Sequence, residues 1–326
     1  MDQPGGVEQL TNPSTNSMNP IRYRFVLLLL MLVVTRYVTA QEDLLKMLEE
    51  ETPEKASPVF ATFKSTRVIN LHSNETIKAK HLDFRIMHRF QPLDIGPDNV
   101  YGLYNFIGLD GATIRIGLEY GINDRVMVGI GRSTPGKLYD FMTKIKLLEQ
   151  TRGKRSMPVS VNYFANTGIS TTEWADKSRD NLFSSRLSFV HQLIIARKWN
   201  DYLSTVISPA VVHHNLVQTV AQPNDVYAVG IGASVKLNRS IRLSLEYIPR
   251  LNGQHEPKDA SGTPLYNDAF AFGFDIETGG HVFQLHFTNA PGLTEQQFIA
   301  QNTGKLSYNA LRFGFNLSRT FSFDKH

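Results

Sequence analysis

Ten histidines, at positions 72, 81, 88, 191, 213, 214, 255, 281, 286 and 326, are the side chains best suited to proton transfer or metal binding in a chain without cysteine. A Ser–His hydrolytic site on a β-strand needs the two residues two apart on one face, so that the imidazole can take the hydroxyl proton. No histidine here has Ser two residues later, and the nearest arrangement is His286 with Thr288. Neither a Gly-x-Ser-x-Gly elbow nor a His-Glu-x-x-His helix occurs. His213-His214 lacks recognisable co-ligands for a metal. The absence of cysteine excludes a disulfide scaffold, thiolate zinc or iron–sulfur sites and covalent haem attachment. These patterns point away from an enzyme and imply no cofactor. Charge excludes a further class. The 34 Lys+Arg against 30 Asp+Glu leave +4, and setting aside Arg22, Arg24, Arg36, Asp2 and Glu8 in residues 1–40 leaves +3. So small an excess argues against nucleic-acid binding.

The remaining chemistry is charge laid out along strands, and the chain's address comes first. Arg22 and Arg24 precede an apolar run, Phe25 to Val34, with the length of a signal-peptide core and about half that of a membrane-spanning helix. Val38-Thr39-Ala40 supplies small residues for cleavage, which predicts a mature start at Gln41. Residues 1–40 are therefore read as an N-terminal extension plus a cleaved signal peptide. Residues 41–57 carry six acids against Lys46 and Lys55, with Leu44, Leu45, Met47 and Leu48 on one side of a short amphipathic helix that Pro53 ends. This helix is expected to act as a plug, a periplasmic tail or a docking element. Segment 58–80 reads as extended, either an additional strand or a stretch crossing the lumen.

From residue 81 to 323 the dominant signal is period two. Leu82, Phe84, Ile86, His88 and Phe90 alternate with Asp83, Arg85, Met87 and Arg89, and Ile241, Leu243, Leu245 and Tyr247 alternate with Arg242, Ser244 and Glu246. The pattern predicts about twelve strands: 81–91, 111–120, 124–133, 138–150, 156–166, 182–195, 201–212, 225–237, 240–249, 269–277, 280–289 and 308–321. Most have the length of a tilted transmembrane strand. The weakest is 201–212, where Pro209 predicts a bulge and the apolar face is blurred. Short turns alternate with longer loops, the sorting expected of an antiparallel up-and-down transmembrane β-barrel with its long loops outside the cell and both termini in the periplasm. Apolar-phase aromatics, among them Phe90, Tyr139, Tyr163, Phe183, Tyr227 and Tyr247 at predicted outer ends, fit an interfacial girdle.

The runs Phe63-Lys64-Ser65-Thr66-Arg67, His88-Arg89-Phe90, Gly108-Leu109-Asp110, Arg115-Ile-Gly-Leu-Glu-Tyr-Gly-Ile-Asn-Asp-Arg125 and Val128-Gly-Ile-Gly-Arg132 resemble an uncharacterised family of Gram-negative outer-membrane β-barrels that carries only a domain-of-unknown-function label. The resemblance implies the fold and the outer-membrane location and supplies no activity.

The strand phase predicts a lumen lined by Arg85, Arg89, Arg115, Glu119, Arg125, Lys144, Lys146, Arg242, Glu246 and Arg312, joined by Asp83, Asp140, Arg186, Lys236 and Asp275. Ten cations against five anions predict a wet, mildly positive interior that favours anions. Paired glycines in Val128-Gly-Ile-Gly131 and Val229-Gly-Ile-Gly232 face inward, where they widen the bore or admit an inserted segment. The expected function is a passive pore for small solutes in contact with outer-membrane lipid. The alternative is a non-conducting barrel that binds a partner through the acidic helix or external loops, chiefly 250–268 and 290–307.

Overall fold

The computed structural model describes residues 56–323, apart from 94–107, 154–155, 175, 218, 221, 253–256 and 259–261. The predicted signal peptide and nearly all of the acidic helix lie outside the described residues. Twelve antiparallel strands form a closed barrel. They are β1 (His81–Pro92), β2 (Ala112–Gly121), β3 (Val126–Ser133), β4 (Leu138–Leu148), β5 (Ser160–Ser170), β6 (Leu187–Lys198), β7 (Leu203–His214), β8 (Asp225–Lys236), β9 (Ile241–Ile248), β10 (Ala269–Thr278), β11 (His281–Thr288) and β12 (Arg312–Ser322). Each strand pairs with the next, and β12 closes on β1 with Leu317 opposite Ile86. Closure leaves no sheet edge, so every strand meets its backbone hydrogen-bonding needs on both sides inside the barrel.

One rim is made of tight turns with a recurring device. Asn123, Asn200 and Asn238 each turn a side-chain oxygen back to accept from the two backbone amides at i+2 and i+3, at 2.8–2.9 Å. This asparagine turn fixes the reversal locally. Gly279 and Gly280, with φ of 53° and 87°, supply the left-handed pair between β10 and β11. The connection from β4 to β5 is longer than expected. Thr151–Arg152 pairs with Ser57–Pro58, and β5 begins at Ser160, after Pro158. Tyr163 is therefore four residues into β5 from the short-turn rim, so it belongs to no outer girdle. Its hydroxyl instead meets His191 Nδ1 at 2.6 Å. The predicted bulge at Pro209 is absent. The register of β7 with β8 runs unbroken from Leu203 to His213. The prolyl nitrogen, which has no hydrogen to donate, is accommodated where the pairing with β6 lapses between Ala210 and Ile207.

The segment preceding β1 adds no barrel strand. It forms a hairpin inside the lumen. The chain bends inward at Ala61 and outward at Lys80, two non-glycine residues in the left-handed region with φ of 52° and 57°. Such a conformation costs roughly 1 kcal/mol or more for a residue bearing a Cβ, so the packing between the two bends must hold them. Between them, Val68 N–H donates to Leu71 O at 2.7 Å and Ser73 N–H to Thr66 O at 3.0 Å, closing the hairpin on itself. The two legs meet the same rim. Val59 N–H donates to Gln150 O beside the β4–β5 connection, and Lys80 N–H to Gly121 O beside the β2–β3 turn.

Candidate functional site in the barrel lumen

The inward side chains divide the lumen into two halves. Strands β9–β12 and β1–β4 present charge: Asp83, Arg85, Arg89, Arg115, Glu119, Asp140, Lys144, Arg242, Glu246 and Asp275 are all buried, none more than 3% exposed. Strands β5–β8 present hydrocarbon instead, with Phe164, Val190, Ile194, Val206, Ala210, Val212, Val226 and Ala228 buried among themselves and against the hairpin. The expected wet, mildly positive interior does not extend to that side. Apolar residues face inward there because Phe63, Val68 and Leu71 of the hairpin pack on them, while lipid takes the outer face.

The charged half holds the hairpin by hydrogen bonds. Lys144 Nζ donates to three carbonyls, Thr66, Ser73 and Glu75, at 3.0, 3.1 and 3.0 Å. Arg85 reaches Ser65 Oγ and Thr66 Oγ1 at 3.0 and 2.8 Å and pairs with Asp83, while Thr66 donates to Glu119 at 2.9 Å. Arg89 donates to Asn70 Oδ1 at 2.9 Å and Asn316 Oδ1 at 3.0 Å. At the tip, the successive amides of Ile69, Asn70 and Leu71 converge on the Glu246 carboxylate at 2.9–3.2 Å. Consecutive N–H groups aimed at one anion make a backbone nest, and here the barrel wall supplies the anion. Arg115 bonds to Asp140 at 2.5 and 2.9 Å within the wall itself. Gly117 and Gly131 leave room for its guanidinium, since a Cβ on Gly117 would fall 2.6 Å from Arg115 Nη1. Gly230 leaves the corresponding room for Leu71 and so admits the inserted segment, whereas a Cβ on Gly232 would press on Val206 of the neighbouring strand and meet Val68 only at an ordinary 3.6 Å.

Five predicted lumen residues lie elsewhere or at the mouths, among them Lys236, the last residue of β8 at the short-turn rim. Arg125 is exposed in the β2–β3 turn, because β3 starts at Val126, one residue too late to carry it inward. Lys146 pairs with Glu149 near the short-turn rim at 3.1 Å. Arg312 sits at the opposite end, donating to Phe90 O at 3.2 Å, and Arg186 belongs to the turn before β6. The expected excess of cations therefore disappears in the middle of the lumen. Arg85, Arg89, Arg115, Lys144 and Arg242 are matched by Asp83, Glu119, Asp140, Glu246 and Asp275.

The long-loop mouth is closed by a second insertion that the sequence reading left outside. The β11–β12 loop turns inward and carries a one-turn helix, α1 (Glu295–Phe298), whose four residues are all buried. Ala290, Leu293, Ile299, Ala300 and Asn302 are buried with it, so most of 290–307 is no free external loop. Glu295 joins the two insertions, accepting from Arg67 Nη1 at 2.9 Å. His72, on the hairpin, lies 3.3 Å from the same carboxylate. Burial first, and the nearby Arg67 and Lys144 second, hold its pKa well below the ordinary 6.5. The His286–Thr288 pair is not assembled for proton transfer, because Thr288 Oγ1 donates to Phe270 O and His286 Nδ1 lies against Gln284 O.

No curated protein sequence matches the chain. Among solved structures, the chain is similar to the NanC porin, at 9% identity and a TM-score of 0.44 over 75% of this chain and 100% of that one. It is also similar to the KdgM porin, at 9% identity and 0.42 over 74% and 99%, and to an outer membrane channel from Pseudomonas putida F1, at 10% and 0.46 over 76% and 98%. The family model described as a membrane bound beta barrel domain (DUF5777) matches residues 63–321, and the chain belongs to that family.

Proposed function

We propose that the protein is an outer-membrane pore for small solutes, held shut by its own hairpin and opened when residues 62–77 leave the lumen. One observation carries this reading. Among the described residues, no backbone–backbone hydrogen bond ties 62–77 to a barrel strand, and both legs reach the same rim. The hairpin can withdraw without threading and without breaking a ladder. The short-turn rim is the periplasmic one, by the usual sorting of turns and loops in such barrels, so the plug withdraws toward the periplasm. The unplugged middle is balanced in charge, and any preference for anions rests on the mouth cations Lys146, Arg186, Lys236 and Arg312. The reading assigns no catalysis and no cofactor.

A second reading is favoured by the apolar half of the lumen. Phe63, Val68 and Leu71 bury hydrocarbon against β5–β8 as a domain core would, which suits a permanently closed scaffold. A disulfide separates the two. With no native cysteine, L71C/G230C is a clean pair. Leu71 Cγ lies 3.3 Å from the position of a Gly230 Cβ, close to the roughly 3 Å between sulfur and the far Cβ in a disulfide. In planar bilayers the reduced protein should show conductance steps that oxidation abolishes and reduction restores. Steps unaffected by the bond would refute the plug. Silence in every state, from protein whose gel migration shifts on boiling, would favour the scaffold.

A further inference from the structure

Two insertions meet inside the barrel, the hairpin from the short-turn side and α1 from the long-loop side, and each has its own hold on the wall. Gln296 Nε2 donates to Asn166 Oδ1 of β5 at 2.8 Å. Gln297 Nε2 donates to Pro135 O at 2.7 Å and to Ser133 Oγ at 3.3 Å, while its Oε1 accepts from Leu293 N–H at 3.0 Å. Phe298 and Ile299 are buried in the same apolar cluster as Val68 and Leu71. Among the described residues, one hydrogen bond runs between the two insertions. It joins Arg67 Nη1 of the hairpin to Glu295 Oε1 of α1, and both side chains are 1% exposed. His72 stands against the same carboxylate, also from the hairpin. Arg115, a wall cation whose field reaches Glu295, is already engaged by Asp140. A hairpin that withdrew from beneath a seated α1 would therefore take the partner of Glu295 with it. Removing one member of a buried ion pair is strongly unfavourable. Water rising into the vacated lumen would reach the carboxylate only by wetting Phe298 and Ile299 as well.

We infer that α1 is a second gate, coupled to the hairpin through Arg67 and Glu295, so that the two insertions leave the lumen together. The inference rests on the pore reading and supplies its regulation. A hairpin that left alone would still leave α1 standing in the long-loop mouth, so passage needs both to move. Coupling between two sites is reciprocal. Release of the hairpin on the periplasmic side frees α1, and whatever draws the β11–β12 loop outward unseats the hairpin at the other end of the barrel. The closed state can thus be opened from the cell exterior, although the hairpin itself enters from the opposite rim.

Trypsin cleavage after Arg67, in the full-length protein in detergent micelles, reads release of the hairpin, because a protease too large to enter the barrel cuts that bond only outside it. Gln297→Ala loosens α1 through contacts that involve no hairpin residue. It deprives Pro135 O and Leu293 N–H of their partner and should raise the open population of α1 by about tenfold. If the insertions move together, cleavage should accelerate by the same factor. Added to Glu295→Gln, which weakens the connecting pair, Gln297→Ala should change cleavage by less than about threefold. Boiling-dependent gel migration identifies a variant that has failed to fold, and Gln296→Ala, which frees α1 from Asn166, then carries the test. Glu246→Ala, which strips the hairpin tip of its acceptor, is the control for release. Cleavage within about twofold of the unmodified protein in both α1 variants, with the control accelerated, would overturn the coupling and leave the plug intact. Equal acceleration with and without Glu295→Gln would also overturn it. Resistance to cleavage in the control as well would overturn plug and coupling together.

Discussion

Substituting Glu246 should release the hairpin while leaving the barrel standing. The carboxylate collects the amides of Ile69, Asn70 and Leu71, all within 3.2 Å and all buried. Glu246→Ala strips the acceptor from three N–H groups at once. At the low end of about 1 kcal/mol for each buried unsatisfied group, the seated state loses roughly 3 kcal/mol, a shift of about 150-fold toward the released state. Water entering the vacated volume keeps the loss near that low end. Glu246→Gln retains one acceptor oxygen and should fall between, at about 1–2 kcal/mol, because its amide NH₂ then opposes one of the three donors. Trypsin reads the population directly. Lys64 and Arg67 are protected only while the hairpin is seated, and nicking of a transiently opened segment tracks its equilibrium population when reclosing is fast. Cleavage after Arg67 should therefore accelerate about 150-fold in the alanine variant and about 5- to 30-fold in the glutamine variant. Arg242, buried on the same barrel strand as Glu246, should stay uncut, which separates release from unfolding. Cleavage after Arg67 within about threefold of the unmodified protein, in a barrel that still migrates as folded, would refute the latch.

Three further outcomes follow from the same geometry. Asp140→Asn leaves the Arg115 guanidinium buried without its counter-ion, and should lower barrel stability by about 3–5 kcal/mol in urea-dependent refolding into detergent micelles; a loss below about 1 kcal/mol would make the pair dispensable. Seating of the hairpin should weaken as pH falls through 6.5. The released His72 takes a proton there that the seated one, depressed by burial and by Arg67 and Lys144, refuses, at up to tenfold per pH unit. Glu75, pushed up from 4.5 by burial, works in the opposite sense at lower pH, so the histidine's part is the trypsin-nicking difference between the unmodified protein and His72→Gln, and equal pH profiles would exclude it. Arg312→Glu, at the outer mouth, should move the reversal potential of the opened pore toward cations in a salt gradient, and an unchanged potential would remove the mouths from selectivity.

How legible the molecule was in its sequence depended on what each face touches. Strands such as β1 and β9 have lipid on one side and hydrogen-bonding charge on the other, so Asp83, Arg85 and Arg89, or Arg242 and Glu246, alternate with Phe, Ile and Leu and announce both strand and phase. Strand β7 touches hydrocarbon on both faces. Val206, Ala210 and Val212 point at the hairpin while Ile207 and Val211 point outward, and this erased the alternation that would have identified the segment cleanly. The blur at 201–212 was therefore itself a signal, the mark of a barrel wall with a packed object behind it. The hairpin could not be read as a plug from its own residues, because Phe63, Val68 and Leu71 among polar neighbours suit an edge strand equally well. What distinguishes it is the wall opposite, where Gly230 makes room for the Leu71 side chain.

The same reasoning explains why the charged half and the apolar half coexist. A hairpin held only by hydrocarbon would be a core, and its removal would expose Phe164, Val190 and Ile194 to water at about 25 cal/mol for every Å² uncovered. A hairpin held only by charge would be cheap to remove, because Arg85, Lys144 and Glu246 regain water as the plug leaves. Under the proposed gating the two halves act in opposite directions: burial on the apolar side favours the seated hairpin, and the polar side lets a local change unseat it. Glu246 is the point where that balance is most exposed, because a single side chain there satisfies three backbone donors that have nowhere else to turn.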